Sequence, residues 1–158
     1  MTEAYSNAQL DRLVFYMKGD LYAVQLIIDL LYVSHLWDDL QDQDVPRTQD
    51  EINDAFLKAV GGIPTNPFYQ AHQRLLASMM HSAGLMWLAS VEMERGSMDD
   101  KLNCFIARGG ILNVMCYCLV LTGGEPWARE QTVNFLREFG YKYTTFTEFL
   151  AEFGPEVA

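Results

Sequence analysis

Apolar residues recur along almost the whole chain at helical spacing, and the alternation expected of strands is nearly absent. Ser6 or Asn7 caps a first short helix reaching about Met17, which Gly19 stops. Asp20 caps a long one from Leu21 to about Gln41, with Val24, Ile28 and Leu31 on one side and Leu26, Leu30, Val33 and Trp37 on others. A helix apolar all round is expected at the centre of its bundle. After Val45-Pro46, the run Thr48-Gln49-Asp50-Glu51 has the form of a capping box. The helix it opens is expected to turn Ile52, Phe56 and Val60 inward and to end at Gly61-Gly62.

Asn66-Pro67 opens the next helix, through Phe68, Leu75, Met79, Leu85, Leu88 and Val91 to Gly96. Ser97 to Asp100 caps a fifth, which reaches about Thr122 before Gly123-Gly124. Pro126 starts a sixth that ends near Glu138, and a short terminal helix is expected over Tyr143–Phe153. Neither a repeat nor a linker divides the sequence. The expectation is an all-α protein, a single helical domain over residues 1–158 built as a compact bundle of six to seven helices.

Composition narrows the function classes. The 158 residues carry 21 acidic and 11 basic side chains, for a net charge of −10. Non-specific nucleic-acid binding is disfavoured, because its affinity comes from neutralising phosphates. Cys104, Cys116 and Cys118 lie among apolar residues without a Cys-x-x-Cys pair, and read as buried reduced thiols. The start of the chain lacks the layout of a signal peptide. Asp29, His35, Asn113 and Gly109-Gly110 interrupt the longest apolar stretches, so no membrane span is expected and a cytoplasmic location is.

The distinctive chemistry is an acidic stripe. His35, Asp38, Asp39 and Asp42 are spaced i, i+3, i+4, i+7, within an arc of about 100° on the second helix. Val24, Ile28 and Leu31 precede them on that face, so the stripe is expected to continue the seam along which the helix meets its neighbours. Carboxylates there repel one another, and the helix dipole already places negative charge at that end. A divalent cation, Mg²⁺ or Mn²⁺ held by Asp38, Asp39 and Asp42 with His35 as ligand or support, would resolve both conflicts. Asp44 is placed to contribute from the following loop. A solvated acidic helix end is the plain alternative.

Asp38-Asp39-Leu40-Gln41-Asp42 resembles the DDxxD motif of trans-isoprenoid synthases. That resemblance implies Mg²⁺ bound to hold a substrate diphosphate and assist its departure. It covers five residues, and Asp99-Asp100 reads as helix capping rather than a second such motif. The run from His35 to Pro46, with Asn66-Pro67-Phe68-Tyr69, resembles small uncharacterised proteins of tailed bacteriophages, which implies the cytoplasm of an infected host.

Other polar residues fit around such a centre. His81 shares a helix face with Arg74, and would serve as a proton carrier beside a phosphate clamp if that face points at the stripe; an ordinary mixed helix face is the simpler and favoured reading. Arg108, set among apolar and small residues, needs an anion: the Asp38/Asp42 stripe or a substrate phosphate. Lys101 lies near the start of the same helix and would reach a polar pocket. The adjoining Gly109-Gly110 pair points to a close helix approach, space for a ligand or a kink.

Two functions follow. One is a Mg²⁺-dependent enzyme acting on a phosphate- or diphosphate-bearing substrate, such as a phosphorylated small molecule or modified nucleotide, with group transfer in DNA-base modification as one version. The other is a non-catalytic phage accessory protein that binds a host or virion protein through its acidic surface. A homo-oligomer is compatible with either.

Overall fold

The computed structural model describes residues 6–43, 45–140, 147–148 and 151. All the regular structure among them is helical, which bears out the all-α expectation. Five helices account for it: α1 (Asn7–Tyr16), α2 (Leu21–Asp42), α3 (residues 49–65), α4 (Pro67–Met93) and α5 (Met98–Phe139). The expected six to seven reduces to this number for a local reason. Residues 98–122 and 126–138 belong to one element, interrupted at Gly124 (φ 79°, ψ 170°). Pro126, which has no N–H to donate, already excuses the ladder one bond there. The terminal helix expected over Tyr143–Phe153 lies outside the described residues, apart from 147, 148 and 151.

The chain divides into two compact units, Met1–Gln73 and Arg74–Ala158. In the first, α2 meets both α1 and α3. Its buried side is formed by Ala23, Leu26, Ile27 and Leu30, which close on Leu13, Tyr16 and Met17 and on Ala55 and Ile63 as the core of the unit. Local chemistry sets the helix starts. Ser6 accepts the Gln9 N–H, Asp20 accepts from Tyr22 and Ala23, and Thr48 and Glu51 form the reciprocal capping box. The Asn66 Oδ1 accepts the Tyr69 N–H while its Nδ2 donates to the Tyr22 carbonyl at 2.9 Å, so one buried amide caps α4 and ties it to α2.

Helix α3 departs from expectation. Gly61-Gly62 does not end it; Lys58–Gly62 forms a π-helical turn that leads into Ile63–Thr65. Eight residues of regular α-helix would carry Ile63 about 80° around the axis from Ala55. The wide i→i+5 turn takes up the difference, and both side chains are buried. The same geometry corrects the inward assignment of Phe56 and Val60: these side chains are 63% and 55% exposed. Lys58 instead points inward and donates to Asp29 Oδ1 at 3.0 Å, where Gln25 also donates.

In the second unit, α4 and α5 supply the core, with Leu76, Cys104, Ala107, Val114, Met115, Cys118, Leu119 and Phe135 buried. Gly110 marks a close approach of the two helices: a Cβ there would stand 3.0 Å from the Ala83 Cα. Of the readings for the glycine pair, close approach is realised at Gly110, and a break is realised at Gly109 (φ −73°, ψ 2°), which leaves helical geometry between Arg108 and Gly110. By length and composition α5 qualifies to cross a membrane, and half of its most apolar window is buried inside the protein. The three cysteines form no disulfide. Desolvation raises the Cys116 thiol to about 11, in keeping with inert reduced thiols.

Candidate functional site: the acidic end of helix α2

The last turns of α2 carry the stripe, and burial along the helix shows which way they face. Val24, on the face of the stripe, is buried, Ile28 and Leu31 are half-buried and His35 is exposed, so burial along that face lessens toward the stripe. A 3.6-residue period puts position 35 roughly opposite Leu26 and Leu30, which lie on the most buried side of the helix. Asp38 and Asp39 are half-buried. The side chain of Asp42, and Asp44 altogether, fall outside the described residues.

Asp39 is engaged by Arg47. Arg47, five residues beyond the end of α2, sets its guanidinium against the last turns of the helix. Its Nε donates to Asp39 Oδ2 at 2.6 Å and Nη2 donates to the same oxygen. Nη1 donates to Glu51 Oε1 at 3.0 Å. The Arg47 side chain is only 7% exposed and that of Asp39 15%, so the pair is shielded from water rather than displayed. Glu51 completes the arrangement: its other oxygen accepts from the Thr48 backbone at 2.8 Å and from the Thr48 hydroxyl at 2.9 Å. One carboxylate thus starts α3 and holds the arginine that closes the end of α2. These bonds favour the charged forms, lowering the Glu51 pKa and raising that of Arg47.

His35 sits one turn before Asp39. Desolvation of the imidazole lowers its pKa, Asp39 acts in the opposite sense, and Arg47 adds to the lowering. The ring is consequently held toward the neutral form although the residue reaches solvent. Nearby, Tyr32 binds α2 to α3 through its hydroxyl, 3.4 Å from the Glu51 carbonyl.

The structure therefore sets His35 beside Asp39 and adds Arg47, which the sequence does not single out, and Glu51, which it marks only as a capping residue. A weak signal for them existed: Arg47 and Glu51 have the i,i+4 spacing of a helix ion pair, directly after a proline turn beside the stripe. Among the described residues, no group of three or more histidine, cysteine or acidic side chains is arranged to hold a metal ion.

The remaining expected site residues belong to the second unit. Arg74 and His81 are exposed on α4. Arg108 finds an anion in Glu94, with Nη2 donating at 2.8 Å, and Arg95 approaches the other oxygen of Glu94 at 3.6 Å. Lys101, two turns before Arg108, is 3% exposed, so it faces the core with Cys104 rather than an open pocket. Asp100 accepts from the Ser97 N–H and hydroxyl, as the capping reading of Asp99-Asp100 expects.

No family model, curated protein or solved structure matches the chain.

Proposed function

We propose that the chain is a non-catalytic binding protein that recognises a basic protein partner through the acidic surface of its first unit. The observation that carries this reading is the commitment of Asp39 to Arg47. A Mg²⁺ site of the DDxxD kind needs the stripe carboxylates as metal ligands, and cation binding at Asp39 would have to displace a shielded guanidinium held by two carboxylates. At Asp39 that arginine supplies the positive charge that the end of α2 calls for. Asp50 and Asp54 on α3 are exposed, and their charge attracts cationic groups.

Thermal unfolding tests the reading against a Mg²⁺-dependent enzyme acting on a phosphorylated substrate. A ligand that binds the folded state raises the melting temperature by mass action. Millimolar Mg²⁺, Mn²⁺ or EDTA should leave the wild-type transition in place. An oligolysine peptide should raise it, and Asp38→Asn/Asp42→Asn should diminish that rise. Stabilisation by Mg²⁺ that the same double variant abolishes would return the site to metal chemistry.

A further inference from the structure

The outer face of α3 combines an apolar centre with an acidic border. Phe56, Leu57 and Val60 are 63%, 64% and 55% exposed. At about 100° per residue of regular helix, Phe56 and Leu57 bound an arc of about 100° with Asn53 inside it and Asp50 and Asp54 following on one side, and the exposed Val60 follows in the π-helical turn. All three polar residues are exposed. The π-helical turn makes this outward arrangement compatible with a well-packed inner side: it buries Ile63 behind Ala55 and aims Lys58 at Asp29. The cations nearest the face are engaged within the unit, Lys58 with Asp29 and more weakly with Asp54, and Arg47 with Asp39 and Glu51.

We infer that this face is the docking site for a basic amphipathic helix of a partner protein. This deepens the proposed binding of a basic partner and rests on it. Charge selects the occupant. A second copy of the chain would bring the carboxylates of Asp50 and Asp54 toward their own like, whereas lysines or arginines beside an apolar stripe pair with them while the stripe covers Phe56, Leu57 and Val60. An exposed aromatic ring with charges along one side matches the pairing of apolar anchors and polar rim in protein interfaces.

The test is fluorescence anisotropy with two labelled peptides of identical leucine and lysine composition. One is arranged as an amphipathic helix, and the other is scrambled so that no apolar face forms. The full chain should bind the amphipathic peptide more tightly than the scrambled one. Phe56→Ser/Val60→Ser should weaken that binding about tenfold or more. Asp50→Asn/Asp54→Asn should weaken it and flatten its salt dependence. Leu85→Ser/Leu88→Ser, which alters an exposed apolar pair on α4, should leave it unchanged. Circular dichroism confirms that each variant is folded, and the aspartate variant tests the face without touching its apolar residues.

Unchanged affinity in both α3 variants overturns the docking site. If Asp38→Asn/Asp42→Asn then abolishes binding, the broader reading stands without it. Absence of binding to either peptide at millimolar concentration overturns both.

Discussion

At the scale of single residues, Arg47 carries the most structural consequence at the end of α2. It joins a carboxylate on one helix to the capping carboxylate of the next, so its removal leaves Asp39 uncompensated while Glu51 keeps only its Thr48 bonds. Breaking a fully buried pair would cost more, but this one lies near the surface, where water relaxes around the remaining charge. Arg47→Ala should therefore destabilise the protein by about 1–2 kcal/mol in urea unfolding. Arg47→Lys should recover only part of the loss, because an ammonium cannot present the fork that reaches Asp39 and Glu51 together. A stability of Arg47→Ala indistinguishable from wild type would mean that the network adds nothing. Sequence reasoning established that the stripe needs a positive partner and left open which one. Asp39 and Arg47 are eight positions apart across a turn whose path no helical period reports.

At the scale of elements, the helix starts were legible because their chemistry is local. Ser6, Asp20, Thr48, Asn66 and Ser97 each cap from within three residues, and the spacing of donor and acceptor can be read directly. The π-helical turn was not legible, since it answers to the 29-residue separation of Lys58 from Asp29 and to the burial of Ile63, both tertiary demands. The pairs Gly61-Gly62 and Gly123-Gly124 looked alike in sequence and behave differently. Gly61 has helical geometry with open space where a Cβ would stand. Gly61→Ala should thus stabilise by up to about 1 kcal/mol through helix propensity and a less flexible unfolded chain. Gly124, at φ 79° and ψ 170°, occupies a region accessible almost only to glycine, and Gly124→Ala should cost about 1–3 kcal/mol. Denaturant midpoints of the two variants should move in opposite directions. A common direction would contradict the assignment of the π turn and the kink.

At the scale of the whole molecule, charge and exposed apolar surface are set against each other. The net charge of −10 holds neighbouring molecules apart at neutral pH, while Phe56, Leu57, Val60, Leu85, Leu88 and Ile106 all remain largely exposed. Protonating the carboxylates removes the repulsion and leaves the short-range apolar attraction. Static light scattering should accordingly rise to a maximum near the isoelectric point, about pH 4.6, and also increase on adding salt at pH 7. Phe56→Ser/Val60→Ser changes no charge. It should lower the scattering at the maximum without moving its pH, because it subtracts attraction and leaves titration alone. A maximum displaced from the isoelectric point, or one of equal height in this variant, would show that the α3 face does not govern association. The acidic stripe would then be keeping apart molecules that adhere through some other surface.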